Sequence, residues 1–317
     1  MRAFDLFCGA GGSSCGARMA GVDPVGGIDM WDVAVETYAL NFPKAKTYRR
    51  RIGDLAATQI AERVGSIDLL LASPECTNHS VAKGNGVRCE DSRRTAYEVI
   101  RFAKAMRPRW IVVENVVPMQ SWESYADWLN KLKRLGYQTA ELKLDAQDFG
   151  VAQSRKRLFV VADLKRSPLT PIPSRLARAP VTSILQHDSA NGYNYKLSPV
   201  FQSARAKPTL QRVRRAIDAL GPGKPFLIVY YGSDAAGGWQ TLNRPLRTIT
   251  TLDRFALVRP RQEGHVMRML QPPELAAAMG FPADYRWPQT SRRDRIKLIG
   301  NAVCPPVMKA VIERLIS

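Results

Sequence analysis

"RAFDLFCGAGGSSCGARMAG", residues 2–21, decides the fold. Residues 2–7 are mainly apolar and suit a short strand, the glycines at 9, 11 and 12 break it, and the small residues that follow read as a helix ending at Gly21. Strand, glycine loop and helix open a βαβ unit, in which backbone N–H groups at the helix start approach a ligand closely. Ser14 stands where the last glycine of a dinucleotide fingerprint would fall, so the loop alone leaves a dinucleotide and S-adenosylmethionine both open. Asp29, closing the next strand candidate "VGGID" (25–29), suits the ribose hydroxyls of either ligand.

Further short, β-branched runs lie at 66–73, 108–115 and 157–163, separated by helical patterns at 31–42, 92–106 and 124–136. Alternation of this kind predicts a doubly wound, mostly parallel α/β sheet of Rossmann-like type. From Lys165 the texture turns to Pro, Gly and Tyr with weak periodicity up to about Arg244, which predicts a second, smaller and irregular domain. In the final segment, 305–317, Val307, Met308, Val311, Ile312 and Leu315 share one helical face fit to pack on the sheet.

The chain has 317 residues, is 45% hydrophobic and carries a formal charge of +19, a surplus that points to a polyanion. Residues 151–220 hold 13 Lys and Arg against 3 Asp and Glu, a surplus of +10 in the middle of the chain. No run of about 18 apolar residues exists, and Met1 leads straight into the first strand, so neither membrane spanning nor secretion is expected. Five cysteines with no C-x-x-C pair and three histidines argue against a disulfide framework or a zinc site and favour the cytoplasm.

"DLLLASPECTNHS" (68–80) runs out of a strand into Cys76, at the sheet edge where open α/β folds hold ligands. Glu114 closes "WIVVEN" (110–115) at that same edge, while "EDSRRT" (90–95) and "QSRKR" (153–157) bring guanidinium groups. A thiol, a carboxyl and arginines would converge on one crevice. His79, close behind Cys76, is read as a structural or DNA-proximal hydrogen-bonding group.

In this order the elements resemble the C5-cytosine-specific DNA methyltransferase family, from Phe4 to Val307. The match includes "DLFCGAGG" (5–12), "DMWDVAVETYALNF" (29–42), "GDL" (53–55), "VENV" (113–116), "RPLRTITT" (244–251) and "GNAV" (300–303). The resemblance implies a catalytic and S-adenosylmethionine-binding domain over 1–165 plus 284–317, and a target recognition domain over 166–283. It implies cofactor contacts from Phe7, Gly9, Gly11, Asp29, Met30, Asp54, Leu55, Asn301 and Val303, with Asp29 on the ribose and Met30 on the adenine.

Cytosine C5 is a poor nucleophile, so a thiolate, here Cys76, adds first at C6 and makes C5 electron-rich. Glu114 stabilises the N3 side, and Arg155 and Arg157 fix the base carbonyl and a neighbouring phosphate. Because the base must leave the stack, the loop 81–93 is the expected lid, and DNA contacts are expected from Ser80, Lys83, Arg88, Arg93, Gln153 and Thr250.

The implied methyl donor is S-adenosylmethionine with no metal. The implied partner is double-stranded DNA, with a cognate restriction endonuclease a candidate second partner and the chain a monomer. Rival readings are a tRNA cytosine-5 methyltransferase, a catalytically silent DNA-binding relative and a nicotinamide oxidoreductase. Where the family has proline before its cysteine, this chain has Glu75; a carboxylate aimed at the sulfur would suppress the thiolate, so Glu75 is expected to turn away or to bond a backbone N–H or an arginine.

Overall fold

The computed structural model describes residues 1–75, 90–173, 177–186, 195–202, 204–231 and 237–317. The opening stretch forms β1 (Arg2–Leu6), a glycine loop and α1 (Gly12–Met19), followed by β2 (Asp23–Asp29), α2 (Asp32–Asn41) and β3 (Lys46–Arg49). Then come α3 (Ala57–Val64), β4 (Leu69–Ala72), α4 (Glu90–Met106), β5 (Trp110–Asn115), α5 (Tyr125–Arg134), β6 (Gln138–Asp145) and β7 (Lys156–Asp163). These strands make one sheet in the order β3-β2-β1-β4-β5-β7-β6. β1 to β5 pair in parallel, whereas β7 runs antiparallel to both its neighbours.

Side-chain alternation explains why β4 and β5 read as unbroken apolar runs, since both faces of the sheet are covered. Leu69, Leu71, Trp110 and Val112 enter one core cluster, and Leu70, Ala72, Ile111 and Val113 enter the opposite one. α9 (Pro305–Ile316) buries the expected Val307, Met308, Val311, Ile312 and Leu315 and seals the first cluster against α1.

What the sequence suggested as short irregular elements organises as a second sheet, antiparallel throughout, in the order β10-β9-β11-β12-β8. Its strands are β8 (Ser198–Pro199), β9 (Phe226–Val229), β10 (Trp239–Thr241), β11 (Phe255–Arg261) and β12 (Gly264–Met269). Against it packs α6 (Lys207–Leu220), which buries Val213 and Ala216 and exposes Lys207, Arg214 and Arg215. Two further helices, α7 (Pro272–Ala278) and α8 (Arg292–Asn301), return the chain to the first cluster through Leu275 and Ile296.

Two glycines set how tightly the parts close. A Cβ on Gly12 would lie 2.2 Å from the Val303 carbonyl oxygen, and one on Gly300 would lie 2.2 Å from the Thr250 carbonyl oxygen. Backbone cannot yield there as a side chain does. Gly300→Ala is therefore expected to destabilise the protein by about 2–3 kcal/mol and to lower Tm. Gly223→Ala, in open space, is expected to leave Tm unchanged in the same melting experiment.

Candidate active site

The glycine loop departs from ordinary backbone at Phe7 (φ 58°), Gly9 (φ 50°) and Gly11 (φ 79°), all in the left-handed region. Glycine enters that region freely, whereas Phe7 stores strain at the loop's entry. Asp29 holds the turn: one carboxylate oxygen accepts from Gly9 N at 2.9 Å and the other from Trp31 N at 2.9 Å. The loop and the start of α2 thus share one anion, and burial pushes the Asp29 carboxyl up from its ordinary range.

Beneath the loop lies a group that sequence reasoning missed. Asp5 is buried, and the Ser14 hydroxyl donates to its Oδ2 at 2.7 Å while lying 2.9 Å from the Tyr38 hydroxyl. Burial is the main cause that pushes the Asp5 carboxyl up to about 7, against the lowering effect of Ser14. Tyr285, also missed, donates from its hydroxyl to the Ala10 carbonyl, and a Cβ on Gly11 would meet that hydroxyl at 2.7 Å. Asp5 was legible as a lone charge inside an apolar strand. Tyr285 carried no local signal, because its partner lies 275 residues away.

On the open side, a Cβ on Gly9 would meet nothing within 4 Å, and Met30 is 59% exposed. Asp54 is exposed and Leu55 half-buried; Asn301 is exposed, and Val303 is buried against Gly12.

Further along this edge, Glu114 is buried at the end of β5 with the Arg157 Nε 3.2 Å from its Oε1. The register pairs Glu114 with Phe159, so Arg157, two residues before Phe159 on the same face, sits diagonally across from the carboxyl. Burial raises the Glu114 pKa, and Arg157 and then Arg155 oppose the rise. The neighbouring Asn115 donates from Nδ2 to the Pro74 carbonyl at 3.1 Å, which pins the turn leading towards residue 76 against β5. Cys304, another group not anticipated as part of the site, lines the small cavity beside Glu114 and Arg157.

Two expected base or phosphate contacts have other partners. The Arg155 guanidinium is buried and donates to the carbonyls of Ile249 (2.9 Å), Gly300 (2.9 Å) and Ala302 (3.2 Å). Carbonyls at the end of α8 have no intrahelical donor, and a planar guanidinium satisfies several at once. Gln153, expected at the nucleic acid, is fully buried; it accepts from Ile249 N at 2.8 Å and donates to the Ala278 carbonyl at 3.3 Å. Thr250 is half-buried, with its hydroxyl oxygen accepting from Leu252 N at 3.4 Å. Cys76, Ser80, Lys83 and Arg88 lie outside the described residues, as do His79, the loop 81–89 and the side chain of Arg93. Glu75 is exposed.

A glycine loop clamped by an acid, next to a buried carboxyl paired with an arginine, occupies the edge where the family resemblance expected it. The family model for C-5 cytosine-specific DNA methylase matches residues 1–317. The chain belongs to that family. It is 27% identical over 317 residues to the Type II methyltransferase M.HgiDI of Herpetosiphon aurantiacus, covering 96% of this chain and 90% of the relative. It is also 27% identical to M.BsuFI of Bacillus subtilis, covering 97% of this chain and 70% of that one. The fold is shared with the S. pombe Dnmt2 methyltransferase structure, with a TM-score of 0.71 at 18% identity, covering 100% of this chain and 98% of that one.

The expected family, fold class and enzyme class hold: the protein is a methyltransferase of the C5-cytosine DNA family. Among the described residues no group of three or more His, Cys, Asp or Glu is placed to hold a metal ion. No helix among them is long and apolar enough to cross a membrane.

The buried Asp5 yields a pH test. Its folded-state pKa, about 7, lies above the ordinary 3.8, so the folded protein holds this proton more tightly. The stability it contributes is fully present below about 3.8 and is lost as pH rises through about 7. Asp5→Asn removes that loss. Its stability relative to wild type is expected to improve between pH 5 and pH 8 by on the order of 2–3 kcal/mol, measured by denaturant unfolding at both pH values.

Proposed function

We propose that this methyltransferase transfers a methyl group to C5 of a flipped-out cytosine within a specific duplex DNA sequence, through a covalent bond between Cys76 and C6 of the base. The observation that carries the proposal is the Glu114–Arg157 pair, buried at 3.2 Å at the edge where the Pro74 turn is pinned by Asn115. Burial raises the proton affinity of this carboxyl, which suits it to share a proton with N3, and its arginine holds it in position.

We read the open side of the glycine loop, between Gly9 and Met30, as the groove that takes S-adenosylmethionine. Asp29 accepts from the backbone N–H groups of Gly9, Trp31 and Met30, and its two carboxylate oxygens have further lone pairs to offer ribose hydroxyls, while Met30 offers an exposed apolar face for an adenine. Asp54 and Leu55 would flank the adenine, and Phe7, Gly9, Gly11, Asn301 and Val303 the amino-acid end. When bound, the cofactor supplies an electrophilic methyl group.

The protein's residues do the remaining work. Cys76 adds to C6, Glu114 holds the proton at N3, and Arg157 orients Glu114 and the base carbonyl. Arg155 and Gln153 act as positioning residues, supported by their buried bonds to Ile249, Gly300 and Ala278. Residues 166–283 bind the duplex, with α6 offering Lys207 and Arg214 to phosphates, and the loop 81–93 closes over the turned-out base with Ser80, Lys83, Arg88 and Arg93 near it. Thr250 lies at the junction of the two sheets. The same reading makes the protein a cytoplasmic monomer acting beside a cognate restriction endonuclease, supported by the Type II designation of its relatives.

Expression in cells followed by mapping of 5-methylcytosine on a plasmid is expected to show modification at one short sequence, lost in Cys76→Ala. Methylation of RNA alone would overturn the reading. Duplex DNA carrying 5-fluorocytosine is expected to be trapped covalently, since fluorine blocks loss of the C5 substituent.

Glu114→Gln is expected to lower kcat by about 10²–10⁴-fold. In wild type kcat is expected to fall as pH rises through the raised Glu114 pKa. Because Arg157 lowers that pKa, Arg157→Gln moves the fall to higher pH, measured as a pH profile of single-turnover rates.

A further inference from the structure

Glu75 sits just past the end of β4 without entering either core cluster, and the proposed mechanism does not use it. Its location follows from the sheet. β2, β1 and β4 are adjacent in that order, with Ile28, Leu6 and Ala72 level with one another. Neighbouring strands lie about 4.8 Å apart, so Asp29, closing β2, and Glu75, three residues beyond β4, stand two strand spacings apart across the sheet, with the loop from Phe7 to Gly9 between them.

The Pro74 carbonyl, held by Asn115, fixes the backbone from which Glu75 projects. The charges are felt across the loop, for Glu75 adds to the upward push on the Asp29 carboxyl. Asp5, directly below, has a fully buried Oδ1 that no hydrogen bond neutralises among the described residues. On the α8 side the opposing charge is Lys297, whose ammonium lies 4.3 Å from the centre of the Trp31 ring.

The groove itself rests on the open space at Gly9 and the exposed Met30, not on these charges. What the charges add is a sign. S-adenosylmethionine carries a sulfonium cation, and methyl transfer turns that sulfur into a neutral thioether while the rest of the molecule is unchanged. We propose that Glu75, with Asp29 on the other side of the glycine loop, makes the groove selective for the sulfonium form, so that it binds methyl donor in preference to demethylated product. Glu75 is then a specificity-determining residue that limits product inhibition. The inference rests on the groove being the S-adenosylmethionine site.

The test is isothermal titration calorimetry of the full chain, without DNA, against S-adenosylmethionine and S-adenosylhomocysteine separately. Glu75→Gln is expected to weaken the donor by about three- to fivefold, the effect of one partly screened charge at such a distance, and to change the product by less than about twofold. Raising salt from roughly 0.05 to 0.5 M should shrink the donor effect, since exposed charges are screened. Glu75→Asp keeps the charge and is expected to keep the wild-type donor-to-product ratio within about twofold. An equal change for both ligands in Glu75→Gln, or no change in either, overturns the proposal while leaving the groove assigned. Failure of both ligands to bind the wild-type protein would defeat the cofactor assignment itself, and the proposal with it.

Discussion

The buried Arg155 guanidinium is the interaction on which the site's assembly depends. It stands at the start of β7 and gathers the carbonyls of Ile249, Gly300 and Ala302, from segments 94, 145 and 147 residues away. One of those segments carries Thr250 out of the second sheet, and the other carries Asn301 and Val303 to the glycine loop. Two residues along β7, Arg157 meets Glu114. A single planar cation thus ties the segment leading into β11, the end of α8 and the strand that carries the arginine facing the buried carboxyl. A lysine could not replace it, because a point charge on a flexible stem cannot address three carbonyls in fixed directions.

Strand direction does the rest. Had β7 joined the sheet in parallel, its first residues would lie at the N-terminal edge, far from Glu114. Because it is inserted antiparallel between β5 and β6, its start lies at the C-terminal edge of β5, level with Glu114 and Asn115. The carboxyl and its arginine meet through topology rather than proximity in the chain. The same edge holds Asp29 and Pro74, so these groups too are delivered by strand ends.

Local pattern carried most of the large sheet. β1, β2, β4 and β5 were legible because buried strands leave an apolar, β-branched run, and Asp29 and Glu114 because a charge closing such a run must stand at an edge. β3 and β6 were not legible: KTYR and QTAELKLD lie at the two outer edges, where half-exposed residues blur the pattern. The second sheet was hidden for a related reason, since its strands are two to seven residues long and its order follows from long-range pairing. Motif spacing singled out Gln153 and Arg155 along the chain, yet it carries no information on the distant carbonyls of Ala278, Ile249, Gly300 and Ala302 that their side chains meet.

The site divides its carboxyls by environment. Glu114 is enclosed but faces two arginines, so burial and counter-charge pull its proton affinity in opposite directions, with burial the larger. Asp5 is enclosed with Ser14 donating to it through its hydroxyl and its backbone N–H, and burial dominates. Asp29 is engaged by backbone N–H groups that stabilise its charge, as suits a residue meant to accept hydrogen bonds. Burial raises all three, and the arginines, Ser14 or backbone N–H groups that oppose the rise set the balance separately for each carboxyl. It follows from which strand end each carboxyl occupies and from what faces it there.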